Sequence, residues 1–300
     1  MTAMPDALLT ALQSAAAYPH PAGDLSHLET HISHIFLAGE YAYKLKKPVD
    51  FGFLDFTTPE KRRAACDEEL RLNRRLAPDI YLAVVPVCHG VRGFRIAPDG
   101  CGAGESVAEV AVRMRRMSQD GMLDRLATAG RLELAHMVDI AGQLAAFHAG
   151  AARGPQVEKY GHLACVRAPV EQNFEQTAPY IGTVVSAERC DQLHGAAEQF
   201  LDRHGDWFEA RVRNGRIVDG HGDLHLRNMC LHHGRVVIFD CIEFNPALRA
   251  GDVMSDIAFL TMDLDHRRLP AHGNRFLNEY LEQTRDYAGL LLLDFYQAYR

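Results

Sequence analysis

"DGHGDLHLRNMCLHHGRVVIFDCIEF", residues 219–244, decides how this chain is read. It sets His221, Asp223 and Asn228 in the order HxDxxxxN and brings a further carboxylate, Asp240, twelve residues after Asn228. Between them "MCLHH" and "RVVIF" read as two strands joined by a His-Gly turn. Asp and Asn are ordinary turn formers when taken one at a time. An ordered His, Asp, Asn and Asp set between runs that want burial points instead to a working site. The spacing suits phosphoryl transfer, in which a carboxylate orients a hydroxyl and accepts its proton while oxygen ligands hold Mg²⁺ against a nucleotide's phosphates. On this reading Asp223 is the base, Asn228 and Asp240 are the metal ligands, and ATP and Mg²⁺ are the cofactors.

The chain around this stretch has 300 residues, 47% hydrophobic and 24% charged, which suits a globular protein with one large domain or two lobes. A net charge of −7 gives no general pull toward nucleic acid or anionic lipid, so neither is an expected partner. Seven scattered cysteines, none in a CxxC pair, argue against a disulfide framework and a zinc ribbon and fit a reducing cytoplasm. Residues 1–20 lack the charged-then-apolar order of a secretory signal, and no run approaches the roughly 20 apolar residues of a membrane span.

The texture changes near residue 113. Residues 25–112 mix strand-like runs ("ISHIFLA", "YAYKL", "IYLAVVPVCHGV", "GFRIA", "VAEVAV") with one helix over 59–77, bounded by Pro59 and Pro78. Beyond them the spacing predicts helices over 131–150, 187–213, 252–264 and 274–300, the strands of 216–240 being the exception. The expected class is α+β: an N-terminal helical segment (1–24), a small sheet-rich lobe (25–112) and a large helical lobe (113–300). The last helix is still apolar and periodic at residue 300, with no Gly or Pro exit, which reads either as a natural protein that continues or as a terminal docking helix.

"HGDLHLRN" followed by "IFDCIEF" resembles the catalytic and metal-binding motifs of the aminoglycoside phosphotransferase branch of the protein-kinase-like fold. "RAGDVMSDIAFL" resembles the segment of that family in which a helical Asp braces the catalytic loop, here Asp256, with Asp252 as the helix N-cap. The resemblance covers roughly residues 25–300 and implies a bilobal, protein-kinase-like fold. "FLAGEYAYKLKKPVDFGFLDF" and "EELRLNRRLAPDIYLAVVPV" resemble a little-characterised bacterial subgroup in which this domain often precedes a P-loop kinase-like domain. No GxxxxGK[ST] occurs in these 300 residues, so a P-loop domain would belong to a longer protein.

The family further implies a strand Lys for the nucleotide's phosphates and a helical Glu to hold it. Alternation in "YAYKLK" sets Lys44 and Lys46 on one strand face, and Lys44 matches the family's strand Lys; Lys47, before Pro48, is expected to be exposed. On the 59–77 helix, Ala65, Leu72 and Leu76 form an apolar stripe. Glu69 falls about 40° from it and Glu68 about 60°, which favours Glu69 as the inward partner. No GxGxxG precedes Lys44, so a loop around Thr30 to Ser33 is expected to cover the phosphates with backbone N–H and hydroxyl donors. "EVAVRMRRM" resembles the family's connection between lobes, which implies that backbone near Arg113 and Met114 meets the adenine edge. His225 stands where the fold often places a donor to the transferring phosphate, with Arg227 as an assistant, or else braces the loop. His232 and His233 share the hairpin turn without a third ligand, so no metal site is expected there. His148 reads as a hydrogen-bonded core histidine.

Gly222 replaces the Arg by which regulated protein kinases read a phosphorylated loop, and fifteen residues between Asp240 and Asp256 leave no room for such a loop. A small hydroxyl-bearing acceptor is therefore expected. A polycationic acceptor would want an acidic pocket, for which Glu243, Asp263, Asp265 and Glu279 are the candidates. A nucleotide-binding regulator and a nucleotidyl transferase remain the alternatives; an intact Asp223, Asn228 and Asp240 weighs against the first.

Overall fold

The computed structural model describes residues 4–300; residues 1–3 of the expected N-terminal segment lie outside the described residues. The chain begins with α1 (Asp6–Leu12) and the strands β1 (Ser26–Glu29), β2 (Ser33–Ala38) and β3 (Tyr41–Lys46). There follow α2 (Pro59–Asn73), β4 (Tyr81–Gly90), β5 (Gly93–Ile96) and β6 (Ser106–Arg115). Helices α3 (Leu123–Thr128), α4 (Leu134–Gly150), α5 (Pro155–Glu158), α6 (Leu163–Thr177) and α7 (Ala187–Arg213) precede β7 (Ile217–Asp219), β8 (Met229–His232) and β9 (Arg235–Ile238). The rest is α8 (Pro246–Arg249), β10 (Ala250–Asp252), α9 (Val253–His266), α10 (Pro270–Thr284) and α11 (Leu290–Tyr299). No helix among the described residues is long and apolar enough to cross a membrane.

Two compact units divide the chain: one runs through Met122 and resumes over Met229–Asn245, and the other holds Leu123–Asn228 and Pro246–Arg300. The division differs from the expected boundary at 112. Strand β6 continues to Arg115, and the ladder is extended by Arg115 N donating to Ile80 O at 2.9 Å and Arg116 N to Glu40 O at 2.8 Å. The β8–β9 hairpin belongs to the first unit because Cys230 bridges to Met122 and Val237 and Phe239 pack on its core.

The first unit is an antiparallel six-stranded sheet in the order β1-β2-β3-β6-β4-β5. Strand periodicity sends Tyr43, Leu45 and Ala111 to one face, where α1 adds Leu8 and Leu12. Ala42, Val110, Val112 and Met114 face the other way, toward Cys66 of α2. Helix α2 starts where Thr58 caps Lys61 N and Pro59 takes the first turn, and it ends at Asn73, four residues earlier than expected. The His233-Gly234 turn between β8 and β9 has positive φ at both residues (49° and 77°), the conformation a two-residue hairpin requires.

A disulfide framework is not expected, and this unit holds a single bond, between Cys88 of β4 and Cys101. A pair thirteen residues apart, closed by a hairpin and the loop behind it, follows no local motif, so spacing alone does not find it. The other five cysteines are free.

In the second unit α4 buries Met137, Ile140, Leu144 and His148 along one stripe, and α9 buries Ile257, Leu260 and Leu264. β7 pairs with β10, not with the hairpin that follows it in sequence. The expected 274–300 helix is two helices. Arg285 turns left-handed at φ 56°, and the chain dips so that buried Asp286 meets Arg211 of α7, whose Nη2 lies 2.7 Å from its Oδ2. Helix α6 is not among the helices the sequence predicts, its periodicity being obscured by Pro169 within it and by a largely polar face.

Candidate active site

The first unit gathers five titratable side chains from three segments. Lys44 Nζ lies 2.8 Å from Glu69 Oε1 and 2.6 Å from Asp240 Oδ1. Lys46 Nζ lies 2.5 Å from the other oxygen of Glu69 and also pairs with Glu243. Glu69 and Lys46 are fully buried, whereas the Asp240 side chain is 40% exposed and is the group of the five most open to a ligand. Burial alone would raise the Glu69 carboxyl, but Lys44 and Lys46 outweigh it and hold it below the usual range. Burial lowers and Asp240 and Glu69 raise Lys44, whose net shift is well upward, so it is a permanent cation.

Asp240 is one of few non-glycine residues with positive φ, at 64°. The turn is pinned on both sides: Asp240 N donates to Tyr81 Oη at 3.3 Å and Cys241 N to Asn73 Oδ1 at 2.9 Å. Asn73 Nδ2 in turn donates to Glu69 O at 3.0 Å, so one helix end fixes both the Glu and the Asp turn.

The second unit carries the loop over 220–228, which α9 holds by its backbone. Asp256 accepts from His221 N at 2.8 Å and Gly222 N at 2.9 Å, and Asp263 accepts from Leu226 N at 2.9 Å. Behind Asp256 stand His148 Nε2 at 3.2 Å and then Tyr280 Oη, 2.8 Å from His148 Nδ1. Arg300 donates to Gly222 O at 2.9 Å while lying over the Phe259 ring.

On this loop Asp223 N donates to His221 Nδ1 at 3.2 Å, and the Asp223 carboxylate takes a bond from Asn228 Nδ2 at 2.8 Å with His225 Nε2 at 3.4 Å. Burial pushes the Asp223 carboxyl up, but His225, His221 and Asn228 bring it below its ordinary value. The result is an ionised acceptor, its side chain still 36% exposed. Asn228 commits its amide nitrogen to Asp223, which leaves the amide oxygen as its ligating atom. The amide oxygen of Asn228 in this unit, like the Asp240 carboxylate in the first, is a hard oxygen donor of the kind Mg²⁺ prefers.

The structure brings Lys44, Glu69 and Asp240 together, and separately Asp223, His225 and Asn228. Other expectations need correction. Ser33 is not a loop donor: it opens β2, pairs with Lys46 across the ladder and is completely buried. Arg113 and Met114 lie inside the central strand β6, with β3 and β4 on either side of Arg113, so their backbone belongs to the sheet rather than to a linker. Arg227 is 74% exposed and faces Asp124 at 3.9 Å. Lys47 is half-buried and bonds Glu29 and Thr30 O. Of the acidic-pocket candidates, Glu243 pairs with Lys46, Asp263 accepts from Leu226 N and pairs with Arg267, Glu279 pairs with Arg275 and accepts from Gln283, and Asp265 is exposed. His148 and Asp252 behave as expected, the first hydrogen-bonded in the core and the second capping α9 through Met254 N.

Sequence reasoning missed Lys46–Glu243, Asn73 and Tyr81. Lys46 was legible as a second lysine on the Lys44 face, but its partner comes from 197 residues away in sequence.

No family model matches the chain. Uncharacterised proteins of Mycobacterium tuberculosis and Mycobacterium bovis are 34% identical over 284 residues, 94% of this chain. The chain spans about half the length (54%) of these relatives. Among solved structures, a choline/ethanolamine kinase family protein from Mesorhizobium loti superposes with a TM-score of 0.51 at 13% identity, covering 92% of this chain and 76% of that one. Choline kinase from Cryptosporidium parvum gives 0.50 at 11% identity, covering 92% and 79%. With an antiparallel sheet carrying Lys44, a helix carrying Glu69 and a helical unit carrying the HxDxxxxN loop, the chain has the protein-kinase-like fold of these small-molecule kinases.

Proposed function

We propose that the protein is an ATP- and Mg²⁺-dependent phosphotransferase acting on a hydroxyl of a small molecule. The observation that carries the reading is Asp223: a partly exposed carboxylate, kept ionised by His225 and Asn228, on a loop whose backbone α9 holds at three N–H groups. A rigid, ionised acceptor at a surface is what orienting a hydroxyl and accepting its proton requires. His225, in contact with that carboxylate, would keep it ionised and share in placing the substrate.

Lys44, held by Glu69, would meet the nucleotide's phosphates, and Asp240 with Asn228 would take the metal, which supplies charge neutralisation for the transferring group. Met117 and Ser118, just past the last ladder bond of β6, replace Arg113 and Met114 as the backbone proposed to meet the purine. The acceptor is proposed to be neutral or anionic. The open groove beside His225 is lined by Arg227, Phe259, Met262, Asp263, His266 and Arg267, and its one carboxylate, Asp263, is paired with Arg267.

The test is ATP turnover against a panel of alcohols and sugars, with Asp223→Ala as control and the mass of the product recorded. Loss of about 10²- to 10⁴-fold in turnover, with nucleotide still raising the melting temperature, is the expected result. Turnover unchanged in Asp223→Ala removes its role, and a product carrying a nucleotidyl group replaces the proposed reaction.

A further inference from the structure

Away from these groups, α6 and α7 face each other with a second set of ligating side chains. Glu171 comes from α6, and His194 and Glu198 come from successive turns of α7, so their spacing of four places both on one helix face. One ligand atom from each lies within 4.8 Å of the others. His194 Nε2 is 3.0 Å from Glu171 Oε2. Ligands about 2.0–2.1 Å from a tetrahedral zinc ion stand about 3.3 Å apart, so this pair is already near that separation.

Two further features point the set at a cation. Glu198 Oε1 is buried with no hydrogen-bond partner, while its other oxygen is held by Arg167, which also reaches Asp202 at 2.7 Å. The arginine therefore fixes the carboxylate and leaves the inward oxygen unmatched. The Phe174 ring, 4.4 Å from that of His194, sets the plane of the imidazole.

We propose that Glu171, His194 and Glu198 form a site for a divalent transition-metal ion, with zinc the best fit, which ties α6 to α7. One imidazole and two carboxylates suit zinc or its first-row neighbours over Mg²⁺, and three protein ligands leave a position for water. The role is structural and does not depend on the reaction proposed above.

Untagged protein is titrated with Zn²⁺ in competition with a chromogenic chelator of micromolar affinity, and Co²⁺ absorption is recorded in parallel. The wild type is expected to take up Zn²⁺ and to melt at a higher temperature with it. His194→Ala, Glu171→Gln and Glu198→Gln should each weaken that uptake at least tenfold and abolish the thermal shift, with unchanged circular dichroism. A His232→Ala, His233→Ala double variant should bind as the wild type does. No competitive uptake by the wild type, or variants at 171, 194 and 198 that bind as tightly as it does, overturns the site.

Discussion

Glu69 serves two lysines at once, one on each oxygen, and this decides what its loss would do. Removing it leaves Lys46 with Glu243 alone and Lys44 with the exposed Asp240, in a place where desolvation already opposes both cations. Breaking a buried pair from one side costs about 3–5 kcal/mol, because the surviving charge keeps its burial without its partner. Glu69→Ala should therefore lower stability by about that much in urea unfolding, far more than Glu68→Ala, whose carboxylate pairs with Arg71 at the surface. Equal effects at 68 and 69 would show that the buried network contributes little. Helical spacing alone separated these two glutamates, since the angle from the Ala65 stripe reports which one turns inward. The same arithmetic says nothing of Glu243, because a long-range partner leaves no periodic trace.

The elements around the 220–228 loop explain why its backbone needs one particular helix. Gly220 leaves room for Asp256: a Cβ there would stand 2.7 Å from Asp256 Oδ2 and 3.1 Å from Arg249 O. Burial would raise the Asp256 carboxyl, but His148, His221 and the His221 N–H bring it well below its ordinary value of 3.8. A carboxyl depressed on folding contributes stability that is fully present above its unfolded value and is lost as pH falls through the lower folded value. The stability gap between the native protein and Asp256→Asn should then be constant from about pH 7 to 5 and close below about pH 4, read by urea unfolding at each pH. A gap that persists unchanged into acid would mean that hydrogen bonding by either amide or acid suffices. Asp252 and Asp256 were both legible from "GDVMSD", as cap and brace. The break between α10 and α11 was not, because its cause is the Arg211–Asp286 contact, and Arg285 carries no sequence signal for a left-handed turn.

At the scale of the whole chain, the order sheet-rich then helical was readable because period-two alternation gives way to helical periodicity. The allocation of Met229–Asn245 to the first unit was not, since it rests on pairing and packing with residues more than a hundred positions earlier. That allocation places Asp240 beside Lys44 and Glu69 within one unit, so the proposed contact of Lys44 with phosphate can be tested by mutation separately from Asp223. A ligand that binds only the folded state stabilises by about 2.7 kcal/mol at a hundredfold excess over its Kd, worth about 5 °C in a chain of this size. Wild-type protein should show that shift with ATP and Mg²⁺ together and a smaller one with ATP alone. Asp240→Ala should retain the ATP shift but lose the Mg²⁺-dependent increment, whereas Asp223→Ala should keep the ATP shift. An increment that survives in Asp240→Ala would remove this carboxylate from the metal site, and no shift with any nucleotide in the wild type would end the assignment of Lys44 to phosphate.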